Sequence, residues 1–244
     1  MRLFAVVALV VVRSWALQAG GGGKVDATRR ALSLSPLLAP ALVSATDLAK
    51  FNKRLTGLGI EEVASIPEGF NAAVESYTQS SPKLWVEFFY PNTWIFVKPS
   101  QNTNGESGTL SAGDYGKGDS CALFVGQGAK ALSDKTFLTK TLISGIAQKG
   151  DNQYQNFELG KVAKPNDNYV LAEFTYELLT GAGFVVERKG VASVTTVGDA
   201  VPALIAVTTA ARYKKIGDKL KTATASFKAY EKASTMATMP NDDV

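Results

Sequence analysis

The 244-residue chain contains no histidine. This absence excludes serine–histidine–aspartate and cysteine–histidine catalytic arrangements, histidine-ligated zinc sites and the commonest general base. The chain has one cysteine, Cys121, so it has no internal disulfide and no thiolate cluster. Cys121 lies in the apolar run CALFV, which is typical of a buried, inert thiol. We therefore expect a protein that is not an enzyme.

Most of the chain also lacks an excess of basic charge. The whole sequence has 26 Lys and Arg against 22 Asp and Glu. Five of the basic residues and one acid precede Thr46, so the remainder holds 21 of each. A groove that follows nucleic-acid phosphates needs clustered positive charge. The balance argues against nucleic acid as a partner of the folded part.

The first apolar run, residues 3–12, is too short to cross a bilayer, which needs roughly 20 residues. It follows Arg2 and precedes small residues near Ala16 and Ala19. This order predicts a secretory signal peptide over residues 1–19.

A second unit follows in residues 20–45. It has a glycine run, the twin arginine Arg29–Arg30, a mildly apolar segment and the A-x-A-like ending Val43-Ser44-Ala45. These features predict a second translocation signal, with a disordered linker as the alternative. Two stacked signals indicate the thylakoid lumen of a plastid bounded by extra membranes. We expect no transmembrane span after processing.

Residues 46–59 are predicted to form a short amphipathic helix that precedes the main domain. Its apolar face consists of Leu48, Phe51, Leu55 and Leu58. Residues 60–82 contain the words IPEGF and TQSSPK and are predicted to be an irregular connector. The main domain is expected over residues 84–232, and residues 233–244 resemble a flexible tail.

Within residues 84–232, short strands surround one helix and precede another. Residues 169–178 alternate with period two, which predicts a strand. Residues 133–150 and 212–230 have helical spacing, with Ile216, Leu220, Ala223 and Phe227 on the apolar stripe of the last helix. The connectors between the later strands are short, so these strands should pair as antiparallel neighbours. The order predicts an α+β fold in which helices cover an antiparallel sheet.

Several sequence motifs, and the order in which they occur, resemble those of the PsbP family. FFYPNTWIFVKP, with Tyr90, Pro91 and Trp94, resembles the family's aromatic strand, its Tyr-Pro and Trp, and its second strand. FLTKTLISGIAQ, NYVLAEFTYEL, VVERKGVASVTTVGDAVPALIA and RYKKIGDKLKTATASF resemble its later elements. The similarity covers about residues 67–230. PsbP proteins are extrinsic lumenal subunits of the photosystem II oxygen-evolving complex, with paralogs.

The resemblance implies an α/β/α sandwich and a non-enzymatic protein that helps photosystem II to retain calcium and chloride. It also implies a role for the segment ahead of the domain. Two motifs differ from those of the family. Arg188-Lys189 stands where Arg-His is frequent, and Ala200-Val201-Pro202 stands where Lys-Leu-Tyr is usual. A divergent paralog that serves another thylakoid complex is therefore the alternative.

Two kinds of binding residue can be selected from the sequence. Asp114 and Asp119 flank the glycine-rich turn GDYGKGDS and are candidate calcium ligands, with a solvated turn as the alternative. Glu173 and Glu177 share a strand face, where they are expected to be solvent-facing rather than an acid–base pair. No tightly bound cofactor is expected.

Basic residues form two candidate docking groups for an acidic lumenal surface. The first is Lys50, Lys53 and Arg54 on the first helix. The second is the basic side of the last helix, where Lys214, Lys215 and Lys219 are the principal candidates. The basic residues from position 212 onward are Arg212, Lys214, Lys215, Lys219, Lys221, Lys228 and Lys232. The alternative is that both faces are only solvated. A different alternative is a ligand-binding module with a cavity lined by Tyr90, Trp94 and Phe174.

We expect the mature protein to begin near Thr46, because the basic excess and both apolar segments precede Ala45. N-terminal sequencing of the protein isolated from thylakoids measures this directly. Recovery of the native protein with residues 1–45 intact would contradict the targeting interpretation.

Overall fold

The computed structural model describes residues 45–98, 109–147 and 153–232. These residues belong to one structural unit, Ala39–Val244. The two predicted signals, apart from Ala45, and the predicted tail lie outside the described residues. Within the described ranges, no helix has the length and apolar character needed to cross a membrane.

The described elements are three α-helices, ten strands and one short 3₁₀ helix. In chain order they are α1 (Ala45–Gly57), β1 (Phe70–Tyr77), β2 (Leu84–Pro91), β3 (Ile95–Val97), β4 (Ser111–Asp114), the 3₁₀ helix (Tyr115–Lys117), β5 (Asp119–Gln127), α2 (Lys135–Ile146), β6 (Gln153–Asn166), β7 (Tyr169–Leu179), β8 (Val185–Thr195), β9 (Ala200–Thr209), α3 (Ala210–Ala225) and β10 (Lys228–Glu231).

The described strands form two antiparallel sheets. The larger has the order β3-β4-β5-β9-β8-β7-β6, and the smaller has the order β1-β2-β10. Strands β6 to β9 pair in sequence, as the short connectors predicted. The predicted α+β class with antiparallel pairing and covering helices is confirmed.

Strand alternation divides the core between the two faces of the large sheet. On β7, Val170, Ala172, Phe174 and Tyr176 all enter one apolar cluster with Leu142 of α2. The opposite cluster combines strand residues with α3 and the small sheet. Its members include Leu204, Ala206, Ile216, Leu220, Phe227, Val86 and Phe88. The apolar stripe predicted for the last helix therefore faces the sheet.

Two glycines allow close packing against this sheet. A Cβ on Gly145 of α2 would lie 2.2 Å from Cδ1 of Ile205 and 3.1 Å from Cβ of Phe124, so a side chain at this position would require both neighbours to shift. A Cβ on Gly190 of β8 would lie 2.4 Å from Cζ of Phe174. The missing side chain leaves room for the Phe174 ring to cross the neighbouring strand.

The N-terminal part of the described chain differs from its prediction. Residues 70–77, expected to be irregular, form strand β1, which pairs with β2 along its whole length. Helix α1 exists but is not outside the core. Phe51 and Leu55 are buried with Val74 of β1 in a third apolar cluster. This helix therefore covers the outer face of the small sheet.

The aromatic corner around Pro91 is a packed part of the core. The Trp94 amide donates to the Pro91 carbonyl at 2.9 Å, which closes the turn between β2 and β3. Trp94 is buried in the same cluster as Phe88, and Tyr90 stacks on Phe96 with ring centroids 5.2 Å apart. Phe174 belongs to the cluster on the opposite face of the large sheet. The cavity lined jointly by Tyr90, Trp94 and Phe174, which the ligand-module alternative needs, is therefore not formed by these residues.

We expect Trp94→Ala to lower the free energy of unfolding by about 3–5 kcal/mol, because it truncates a buried aromatic side chain. Urea denaturation measures the loss. The neighbouring Ile95→Ala is the matched control: Ile95 is 66% exposed, so its truncation should change stability by only about 0.5 kcal/mol. A Trp94→Ala protein of normal stability that has lost a bound small molecule would instead support a ligand-binding module.

Candidate functional site

The basic residues near the C-terminus do not all lie on one helix. Helix α3 ends at Ala225, and Lys228 belongs to strand β10. The Ser226 hydroxyl accepts a hydrogen bond from the Phe89 amide at 2.8 Å, and this contact joins the end of the helix to β2. The prediction that the last helix runs on to Tyr230 is therefore wrong.

Four of these basic residues interact with other parts of the fold. Arg212 pairs with Asp119 at 2.6 Å, and Lys221 pairs with Glu173 at 2.9 Å. The ammonium of Lys228 lies 3.2 Å from Glu87. The ammonium of Lys232 lies 4.5 Å from the ring centroid of Trp85 in a cation–π contact. These four residues have partners within the domain, which reduces their availability for a partner protein.

The remaining three are the lysines selected from the sequence. Lys214, Lys215 and Lys219 are exposed on α3 and form no salt bridge within the described residues. The opposite side of the helix buries Ile216 and Leu220, which fixes the direction of the basic side. The single acidic residue of α3 is Asp218. We call Lys214, Lys215 and Lys219 the α3 basic face.

The second candidate group, on α1, also contains both residues without a partner and a residue that contacts the fold. Lys50 and Lys53 are exposed. Arg54 instead donates to the Val74 carbonyl at 3.2 Å and lies 3.8 Å from the Glu75 carboxylate. Arg54 therefore attaches α1 to β1 although its side chain is 47% exposed, whereas the two lysines have no carboxylate partner within the described residues.

The two candidate calcium ligands have different environments. Asp114 and Asp119 are directly opposed across β4 and β5. Asp114 is partly exposed and pairs with Lys117. Asp119 is only 2% exposed and accepts hydrogen bonds from Thr208 and from two nitrogens of Arg212. The described residues contain no group of three or more candidate metal-binding side chains. Calcium binding at this turn stays a prediction.

Asp119 is the centre of a buried polar cluster that sequence reasoning missed. Burial alone would raise the pKa of its carboxyl, but the hydrogen bonds from Arg212 and Thr208 hold that pKa below its usual value. Asp119 shares its strand face with the buried Cys121 and Leu123. The spacing of Asp119, Cys121 and Leu123 at alternate positions of the strand was the sequence signal that this aspartate faces inward and needs a partner.

The two strand glutamates also have local partners. Glu173 is joined to Lys221 of α3, and Glu177 accepts hydrogen bonds from Gln155 and Asn156 at 2.9 and 2.8 Å. These contacts connect elements of the fold to one another. They assign each carboxylate a structural role.

No known protein-family model matches the chain, and no curated protein matches it. Among solved structures, the chain is similar to cyanobacterial PsbP (CyanoP) from Synechocystis sp. PCC 6803, with 21% sequence identity and a TM-score of 0.44. The match covers 69% of this chain and 96% of that one. Functional inference therefore depends on the residues and contacts of this chain.

We expect Asp119→Asn to lower the free energy of unfolding by about 1.5–3 kcal/mol, because it removes charged hydrogen bonds to Arg212. Asp114→Asn, at the exposed end of the same strand pair, should cost about 0–1 kcal/mol. Urea denaturation measures both.

The Asp119 contribution should also depend on pH. Its pKa is lower in the folded than in the unfolded protein, where an aspartate has a pKa of about 3.9. The stabilisation is therefore present above that pH and disappears as the pH falls through the folded value. Equal losses in the two variants, or a wild-type pH profile in Asp119→Asn, would contradict this assignment. Thermal unfolding with and without calcium chloride tests the calcium prediction in the same proteins.

Proposed function

We propose that this protein is a non-enzymatic accessory protein of the thylakoid lumen that docks on a membrane complex through the α3 basic face. The observation that carries the docking proposal is the division of the basic residues. Arg212, Lys221 and Lys228 are paired with carboxylates of the fold, whereas the α3 basic face has no such partner within the described residues. An acidic surface on the complex would supply the missing charge.

The rigid attachment of α3 supports this proposal. Its buried side packs on the large sheet, and Arg212 and Lys221 connect it to β5 and β7. A face held in this way presents its three ammonium groups without first ordering the helix. Less entropy is lost on docking when the binding surface is already formed.

The partner that we propose is photosystem II, at its lumenal side. This proposal rests on the sequence motifs that resemble the PsbP family, on the order in which they occur, and on the two predicted translocation signals. Docking there would cover the water-oxidising centre and restrict the exchange of calcium and chloride, with no chemistry by this chain.

The alternative partner is another thylakoid complex, as expected for a divergent paralog. Lys189, the residue that departs from Arg-His, gives this alternative a physical basis. Its ammonium lies 4.4 Å from the ring centroid of Tyr213 on α3, so the departing residue has a contact inside the fold. Separation of solubilised thylakoid complexes decides between the partners: co-migration with photosystem II supports the first proposal, and co-migration with a different complex supports the second.

We expect concentrated sodium chloride to release the protein from thylakoids without detergent. Attraction between the α3 basic face and an acidic surface extends over about a Debye length, ~8 Å at physiological salt, and weakens as salt rises. Reversal of Lys214, Lys215 and Lys219 to Glu should weaken rebinding while the melting temperature stays nearly constant, since exposed charges contribute little to folding. Rebinding to salt-washed thylakoids measures the effect.

The control for this experiment changes the net charge equally at a different surface. Lys140, Lys161 and Lys164 are exposed outside α1 and α3, and their triple reversal to Glu should leave rebinding close to wild type. A parallel variant reverses Lys50 and Lys53 but keeps Arg54, because Arg54 attaches α1 to β1. Wild-type rebinding by the α3 and α1 variants would show that both faces are only solvated surface. Equal loss in the control would show a non-specific charge effect.

A further inference from the structure

A small cleft opens on the outer side of the small sheet, and its lining includes none of the residues of the α3 basic face. Residues 61–65, which follow α1, form one wall. Glu87 and Phe89 of β2, together with Lys228 of β10, form the other. Its volume of about 290 Å³ is at the lower end of the range for small-ligand pockets, roughly 300–1,000 Å³. A space of this size suits a single side chain or a small organic molecule.

The cleft contains a buried carboxylate with an unused oxygen. Glu87 is 2% exposed. Its Oε1 lies 3.2 Å from Nζ of Lys228, whereas Oε2 has no hydrogen-bond donor within the described residues. Burial raises the pKa of this carboxyl above its usual value, and the nearby Lys228 ammonium and Tyr230 hydroxyl oppose the rise. A buried acceptor without a donor is unfavourable, so a donor that enters the cleft and reaches Oε2 would remove that cost.

The charges and walls of the cleft select the class of that donor. Glu61, Glu62 and Glu87 contribute three carboxylates against one ammonium, Lys228. Glu61 lies close enough to raise the pKa of Glu87, so a cation beside them would relieve this repulsion. The Phe89 ring provides an apolar wall for an alkyl stem. An anion would be repelled, and the described residues lack a three-ligand group for a metal ion.

The rim of the cleft is held in place before any ligand binds. The Asn52 side chain of α1 donates to the Val63 carbonyl at 2.9 Å and accepts from the Val63 amide at 3.1 Å. The Thr56 hydroxyl donates to Glu62 at 2.9 Å. These contacts order residues 61–65 against α1, which reduces the entropy lost on binding.

We propose that this cleft binds an alkylammonium or guanidinium group, which donates a hydrogen bond to Oε2 of Glu87. The favoured source is a lysine or arginine side chain of a partner polypeptide, because a volume of about 290 Å³ and the apolar wall at Phe89 suit one alkyl stem with a terminal cation. A free polyamine has the same chemistry. The site is separate from the α3 basic face, so it does not rest on the proposed function.

The test uses the full chain, labelled with ¹⁵N and followed by NMR. The probes are acetyl-Gly-Arg-Gly-amide, acetyl-Gly-Lys-Gly-amide and spermidine. The neutral control is acetyl-Gly-citrulline-Gly-amide, which matches arginine in shape. We expect saturable shifts at the amides of residues 61–65, 87–89 and 226–228 with the cationic probes and none with citrulline. Tighter binding of the tripeptides supports a partner side chain, and tighter binding of spermidine supports a free polyamine.

Matched variants locate the binding group. Glu87→Gln keeps the shape but removes the charge, and it should weaken binding at least about tenfold, since charge-assisted hydrogen bonds are the stronger ones. Glu61→Gln changes an exposed residue without risk to folding and should weaken binding several-fold. Glu68→Gln, a nearby exposed glutamate outside the cleft, should bind like wild type. Equal shifts with citrulline, no shifts at all, or undiminished binding in Glu87→Gln would overturn the proposal.

Discussion

Strand β9 is buried on both of its faces, and this single constraint accounts for most of the architecture. Residues 200–208 are all buried, with alternate side chains entering the two opposite apolar clusters. A strand of this kind must be covered on each side. Helix α2 provides one cover, while α3 and strand β2 provide the other. Pro202 is tolerated because it lies beyond the section of β9 that pairs with β8.

The same constraint explains where the polar contacts lie. The small sheet is joined to the large one by a hydrogen bond from the Ala229 amide of β10 to the Tyr169 hydroxyl of β7 at 3.1 Å. At the end of β5, Asp119 lies beneath the first turn of α3 and must be paired because it is buried. Arg212 is therefore part of the core boundary, although it appears in the sequence as one more basic residue of a helix.

Elements with a complete local pattern could be predicted from the sequence. The alternation of β7 and the stripe of α3 both hold because one face of each element is apolar for its whole length. Asp134 accepts a hydrogen bond from the Thr136 amide, which is the usual role of an aspartate immediately before a helix. Strand β1 was missed because FNAAVESY joins small and polar residues, and its burial comes from α1 rather than from its own pattern. The end of α3 was missed because Ser226 is bonded to β2, which is distant in the chain.

The candidate binding surfaces could likewise be predicted only in part from the sequence. Sequence composition found the basic residues, but tertiary contacts determine which of them remain unpaired, and no local pattern separates Lys215 from Lys221. The buried carboxylate of Glu87 has the opposite origin: it is a charged residue inside an apolar strand, paired through one oxygen only. In a protein that acts by binding, the groups that the fold leaves unpaired are the ones that can interact with a partner. Among such groups in the described residues, the three ammonium groups of α3 and one carboxylate oxygen of Glu87 carry opposite charges, so they are complementary to different surfaces.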